Sequence, residues 1–145
     1  MFKNILIVCV GNVCRSPAAE ALFAHRLKDQ GHAFSSAGIG ALVGNPMDKT
    51  ALEILQEHGV DHSAHRARQV DSRMLHQADL ILAMEQGHIS HIRQIAPEVH
   101  GKTFLMGKWL DDMEIPDPYR QSRPAFEHVH GLLTQSVESW LPYLK

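Results

Sequence analysis

The run Ile5-Leu6-Ile7-Val8-Cys9-Val10 contains no polar break and is rich in β-branched residues. A strand with one wet face alternates apolar and polar side chains, whereas a strand covered on both faces reads as a continuous apolar run. The segment therefore predicts a strand at the centre of a sheet. A turn from Gly11 to Arg15 comes next, with Ser16 placed to cap a helix and Pro17 at a first-turn position where no backbone N–H is needed. Ala18 to Lys28 then propagates the helix.

The same alternation continues along the chain. Phe34 to Ala37 reads as a second strand, and a helix from about Met47 to His58 is expected to bury Ala51, Leu52 and Leu55 before stopping at Gly59. Asp79 to Met84 and Thr103 to Met106 supply two further strands, with a helical stretch around His88 to Ile95 between them. The last helix, from about Pro124 to Tyr143, carries Phe126, Val129, Leu133, Val137, Trp140 and Leu144 at helical spacing, a core stripe. With 145 residues, 44% of them hydrophobic, and no internal repeat, one domain spanning residues 1–145 is expected. Strands alternating with helices predict an α/β fold, a single-domain three-layer αβα arrangement on a four-stranded parallel sheet. Ligands of such sheets bind beyond the carboxyl ends of the strands, which puts the turn after the first strand in the expected place for a phosphate-binding loop.

Charge narrows the partners. A formal net charge of -2 gives no whole-surface attraction for nucleic acid or for an anionic membrane, so any anion must be held locally. The apolar run Ile5 to Val10 is too short to span a bilayer, and a cytoplasmic location without membrane insertion is expected. The two cysteines, Cys9 and Cys14, lie in one short loop and make a poor disulfide framework. Bulky Val8 argues against a lipid-modified cysteine at Cys9. Both cysteines are read as parts of a site.

Cys9 to Pro17, CVGNVCRSP, places a cysteine at the end of a strand, an arginine six positions later, and a helix directly after. A tight loop there can turn successive backbone N–H groups inward into an anion nest continuous with the positive end of the helix. Val10, Gly11, Asn12, Val13, Cys14 and Ser16 form that loop, and its donors favour a thiolate at Cys9, the candidate nucleophile. Arg15 offers a planar fork for two phosphoryl oxygens. Ser16 can donate its hydroxyl to the Cys9 sulfur, and Asn12 can pin the loop through its side chain. The competing reading, a buried structural cysteine beside an ordinary turn, is disfavoured by Gly11, Asn12 and Pro17 occurring together after a first strand.

This segment resembles the signature loop of the low-molecular-weight protein tyrosine phosphatases, and Asp117-Pro118-Tyr119 resembles their second motif. The likeness runs from the first strand to the last helix, and is greatest to bacterial members associated with capsule or exopolysaccharide production. It implies hydrolysis of phosphotyrosine through a phosphocysteine intermediate, with a bacterial tyrosine autokinase of the export machinery as partner. Asp111, Asp112, Glu114 and Asp117 share one loop, and spacing cannot choose among them; the resemblance points to Asp117 as the general acid. It also implies Tyr119 as one wall of the substrate cleft, with Leu42, in the segment Gly40 to Gly44, on the other. Cys14 is either a buried loop residue or the reversible disulfide partner of Cys9. No cofactor and no metal are expected, and a monomer or weak oligomer is. The eleven histidines, His58, His62, His65, His88 and His91 among them, are read as solvated surface residues.

Other readings are weaker. Gly38-x-Gly40-x3-Gly44 has the wrong spacing for a dinucleotide fingerprint, and the loop lacks the lysine of a nucleotide P-loop. Arsenate reductases share the fold and loop that this chain resembles but pass oxidation to later cysteines, and none follows Cys14. Protein-arginine phosphatases of the same family carry threonine where this chain has Val13. A non-catalytic phosphate-binding module would need neither a nucleophile nor an acid.

Overall fold

The computed structural model describes residues 2–144. Four strands, β1 (Asn4–Cys9), β2 (Ala33–Gly38), β3 (Leu80–Ala83) and β4 (Thr103–Leu105), form one sheet in the order β2-β1-β3-β4. All three pairings are parallel. The expected α/β architecture is thus observed, with β1 in the interior of the sheet.

Alternation explains why β1 has to be apolar throughout. Ile5, Ile7 and Cys9 join one core with α1 (Arg15–Arg26) and α5 (Arg123–Leu144), whereas Leu6 and Val8 join a second core on the opposite face. That second core is closed by α3 (Ser72–Gln77) through Leu75 and by α4 (Gln86–Ile95) through Ile92. Each fully buried Ile or Leu in such a layer contributes about 1.5–3 kcal/mol. All six residues of the expected stripe on α5 are buried, and Trp140 Nε1 donates to the Met106 carbonyl at 2.8 Å, fastening α5 to the end of β4.

Boundaries differ where local chemistry overrides periodicity. Ser16 does not cap α1: Cys14 occupies the N-cap without a side-chain bond, and Ser16 lies inside the helix with its hydroxyl turned to the Cys9 sulfur. Helix α2 (Lys49–Glu57) starts two residues later than expected because Asp48 caps it, its carboxylate accepting from Ala51 N at 3.1 Å. Its buried side chains are Ile54 and Leu55, while Ala51 and Leu52 are only half-buried. Gly59, at φ 78°, ends the segment as expected. Periodicity missed α3, a short helix capped by Asp71, and the 3-10 helix Pro97–Lys102. Among the described residues, no helix is long and apolar enough to cross a membrane.

Candidate active site

β1 ends at Cys9 and α1 begins at Arg15, so the loop between them lies beyond the carboxyl edge of the sheet. Its carbonyls are all engaged from outside. Cys9 O accepts from Ile39 N, Val10 O from Gly40 N and Gly11 O from Leu42 N, at 2.9–3.0 Å. Asn12 O is 2.7 Å from His65 Nε2, and Val13 O accepts from Asp48 N at 2.8 Å. The amides point the other way: none of the backbone N–H groups from Val10 to Cys14 has a protein acceptor among the described residues. Backbone donors left unpaired in a folded interior are costly unless a ligand takes them. The loop is therefore built as an anion cradle.

Side chains hold this shape. Asn12 is fully buried at φ 59°, a left-handed conformation in which Asn is tolerated better than most residues. Its Nδ2 donates to Ser16 Oγ at 2.8 Å and to Ser36 Oγ at 3.0 Å, and its Oδ1 accepts from Arg68 N at 3.0 Å. Because Ser16 Oγ already accepts from Asn12, its own hydrogen is free for Cys9 Sγ, 2.8 Å away. Ser36 likewise accepts from Asn12 and donates to Glu20 Oε1 at 2.6 Å. Burial pushes the Glu20 carboxyl up, but nearby His62, the Ser36 hydroxyl and, more weakly, His65 outweigh it and hold Glu20 below the usual carboxylate range.

Gly38 forms the outer limit of the cradle. A Cβ there would lie 2.2 Å from the Val10 carbonyl oxygen, so the close approach of β2 to the loop requires glycine. Gly38 and Gly40, whose N–H donates to the Val10 carbonyl, thus serve the loop, and no helix opens at Gly44 itself.

Arg15 is 2% exposed. Its Nη1 donates to Glu85 Oε2 at 2.5 Å and to the Ile115 carbonyl at 2.7 Å. Nη2 lies 3.8 Å from Asp117 Oδ2, and neither Nη2 nor Nε has a hydrogen-bonded protein partner among the described residues. Glu85 lies two residues past the end of β3, the strand beside β1, and its Oε2 is also 3.7 Å from Nε2 of buried His88. Burial first, and the charge of Arg15 second, hold His88 below its ordinary range.

Of the four carboxylates in the 111–117 segment, Asp117 alone lines the cleft, a cavity of about 140 Å³ bounded also by residues 9–15, Gly40, Leu42 and Tyr119. Glu114 is used elsewhere, accepting from Gln86 N at the start of α4. Asp111 and Asp112 are exposed turn residues with positive φ. Asp117 Oδ1 is anchored by Tyr119 N at 3.0 Å, while Leu42 and Tyr119 stand partly exposed at the rim with Arg120 over the tyrosine ring. Cys14 is a buried free thiol, raised well above the ordinary thiol range by burial and by the nearby carboxylates Asp48 and Asp117.

The residues expected from sequence converge on one cleft. Reading the sequence missed Glu85, Ser36, Glu20, His65 and Arg68, which support it from behind. Glu85 had a signal, a carboxylate just past the strand adjacent to the loop; the others come from distant segments and had none. Two histidines are corrections: His65 and His88 are buried, His65 with its Nε2 on the Asn12 carbonyl and His88 with its Nε2 3.7 Å from the Glu85 carboxylate.

A doubly wound parallel sheet, with an anion cradle running from a strand-terminal cysteine to a helix-opening arginine, defines the class of α/β proteins that bind phosphate at the first loop. A profile of the family described as low molecular weight phosphotyrosine protein phosphatase matches residues 4–145, and the chain belongs to that family. The low molecular weight protein-tyrosine-phosphatase Etp of Escherichia coli K12 is 49% identical over 139 residues, covering 96% of this chain and 93% of that protein. Among solved structures, the tyrosine phosphatase Wzb of Escherichia coli K30 with sulphate superposes with a TM-score of 0.95 at 43% identity, covering 100% of both chains. Wzb of Vibrio vulnificus with benzylphosphonate gives 0.94 at 43% identity, covering 99% of each.

Proposed function

We propose that this chain hydrolyses phosphotyrosine in proteins through a phosphocysteine on Cys9. The observation that carries the reading is the cradle: five outward carbonyls, a row of amides without a protein acceptor among the described residues and the buried Arg15 surround a sulfur held by Ser16. In the first step the Cys9 sulfur attacks phosphorus in line with the leaving tyrosyl oxygen. The loop amides and the free nitrogens of Arg15 take the phosphoryl oxygens, and the Asp117 carboxyl donates a proton to the phenolic oxygen as the P–O bond breaks. In the second step a water attacks the phosphocysteine, gives its proton to the Asp117 carboxylate, and releases inorganic phosphate. The Ser16 hydroxyl donates to the sulfur as it leaves. Arg15 and the backbone supply the positive charge that this route needs.

Leu42 and Tyr119 flank the mouth above the sulfur and suit a flat aromatic ring. A phosphoserine side chain is too short to place its phosphate equally deep. Val13 is apolar, which favours an aryl phosphate over the guanidino phosphate of phosphoarginine. The physiological substrate we infer is a bacterial tyrosine autokinase of capsule or exopolysaccharide export, acted on in the cytoplasm, where a reducing environment keeps Cys9 a thiol.

The test is phosphate release from a phosphotyrosine peptide in EDTA and dithiothreitol, beside matched phosphoserine and phosphoarginine peptides and the Cys9→Ser variant. Turnover of phosphotyrosine alone, abolished by the substitution, supports the assignment. Preference for phosphoarginine, or turnover that survives Cys9→Ser, overturns it.

A further inference from the structure

Behind the cradle, on the side away from the cleft, lies a second cluster that the proposed reaction does not use. Glu20 of α1 and the two histidines of the 58–71 connection, His62 and His65, bring one donor atom each within 4.8 Å of one another. His62 Nε2 is 3.5 Å from Glu20 Oε2. That nitrogen is buried and has no hydrogen-bond partner among the described residues, and the two imidazoles lie stacked with centroids 5.2 Å apart. We propose that Glu20, His62 and His65 form a binding site for a divalent transition-metal cation, with Zn2+ as the fitting species.

The chemistry of the donor set selects the cation. Two imidazoles and one carboxylate suit a borderline ion such as Zn2+, whereas Mg2+ and Ca2+ prefer oxygen-rich shells. Tetrahedral Zn2+ with bonds near 2.0–2.2 Å sets its ligand atoms roughly 3.3 Å apart, close to the 3.5 Å already present between His62 and Glu20. Drawing His65 in from within 4.8 Å completes the set and leaves one position for water.

Support behind the ligands is also present. The Asn12 carbonyl can only accept, so His65 Nε2 carries hydrogen, and in the neutral ring Nδ1 holds the lone pair that a metal requires. Glu20 Oε1 is held by the Ser36 hydroxyl at 2.6 Å, leaving Oε2 on the His62 side. A metal ligand whose other polar atom is tied to a carbonyl or hydroxyl is the arrangement that fixes ligand orientation. A salt bridge between a protonated His62 and Glu20 would need no third group; His65 beside them is what makes this a three-donor site. Occupancy would tie the 58–71 connection to α1 and brace Asn12 from outside the cleft.

The test uses the Cys9→Ser protein, so that the sulfur at position 9 cannot bind the metal, stripped with EDTA and exchanged into chelator-free buffer. Calorimetric titration with Zn2+ is expected to give one equivalent bound per chain, with a melting temperature that rises with Zn2+ concentration. His62→Gln and His62→Leu should each weaken that binding by about tenfold or more, while the paired variant His58→Gln, His130→Gln binds as the parent does. Loading with Co2+ should give the intense visible bands of a tetrahedral site, absent from both His62 variants. No bound equivalent, unchanged affinity in the His62 variants, loss of binding in the His58, His130 pair, or a Co2+ spectrum without tetrahedral bands in the parent each overturns the proposal. The parent spectrum decides the matter should both His62 variants fail to fold.

Discussion

Arg15 and Glu85 are joined by a 2.5 Å contact between Nη1 and Oε2, and the same Nη1 also donates to the Ile115 carbonyl. One nitrogen of the guanidinium thus takes both structural bonds, and the other two are left for a ligand. A planar fork held by one tine cannot rotate freely about its long axis, so its free edge is aimed before substrate arrives. Glu85 itself is 38% exposed, so the pair is buried on the arginine side only.

From this relationship, Glu85→Gln is expected to lower kcat for phosphotyrosine substrates by about 10–100-fold, since a neutral amide holds the buried fork less firmly. Stability should fall by only about 1 kcal/mol, because the exposed half of the pair is already screened by water. Steady-state kinetics beside a thermal melt separate the two effects. A variant with parental kcat would show that Ile115 alone aims Arg15.

Asn12 combines two constraints that no other side chain meets as well, a left-handed backbone and three side-chain hydrogen bonds. Asn12→Ala removes all three bonds and leaves a Cβ residue at φ 59°, and a loss of about 2–4 kcal/mol is expected. The readout is the urea midpoint of unfolding, with activity falling in parallel as the cradle loosens. Unchanged stability would mean that the outward carbonyl bonds suffice to hold the loop.

The central strand, the cradle and the helix after it were legible because they are contiguous: one apolar run, one turn and one helix fall within Ile5 to Lys28. The stripe on α5 was legible for the same reason. The parts that were not legible depend on contact between segments far apart in the chain. Ser36 reaches Asn12 across 24 residues, His65 across 53 and Glu85 reaches Arg15 across 70. Periodicity carries no information about such pairs. Helix α3 was missed because a six-residue helix with one buried side chain, Leu75, is too short to display a repeat. The expectation of surface histidines failed at His65 and His88 because composition counts residues and cannot see the packing that buries these two.

His88 supplies a pH dependence whose sign can be worked out. Its folded-state pKa lies below the ordinary value, through burial first and Arg15 second, so the folded protein binds fewer protons than the unfolded chain between that depressed pKa and about 6.5. Stability contributed at this site therefore rises with pH through that window; above it there is no penalty, and below it the penalty is complete. The melting temperature of His88→Gln relative to the parent should accordingly improve on going from about pH 7.5 to about pH 5.5. A difference that stays constant with pH would remove His88 as the titrating group.

Cys14 sits at the N-cap of α1, in the same tight loop as Cys9, and its raised pKa keeps it a protonated thiol that is inert unless Cys9 becomes an electrophilic sulfenic acid. Peroxide acting on Cys9 forms a sulfenic acid, and condensation with the Cys14 thiol would expel water and close a disulfide. Mild peroxide should thus inactivate the protein in a form that dithiothreitol restores, while Cys14→Ala loses activity irreversibly. Equal recovery in both proteins would leave Cys14 a packing residue only.

The acid role proposed for Asp117 rests on its place in the cleft and not on any anchoring to Arg15, whose Nη2 lies 3.8 Å away, beyond hydrogen-bond distance. Its backbone carbonyl accepts from Gln121 Nε2 at 2.8 Å and its Oδ1 from Tyr119 N, so the carboxyl is held at the rim with Oδ2 facing the cleft side. Asparagine would keep these contacts and the shape while removing the transferable proton. For tyrosyl peptides, whose leaving oxygen is strongly basic, Asp117→Asn should lower kcat by about 10²–10³-fold. For aryl phosphates with acidic leaving groups, such as p-nitrophenyl phosphate, bond cleavage needs little protonation and the loss should shrink markedly. Plotting the rate ratio of parent to variant against leaving-group pKa gives a rising line if Asp117 is the acid. A flat line would assign the proton to water and leave Asp117 the role of binding alone.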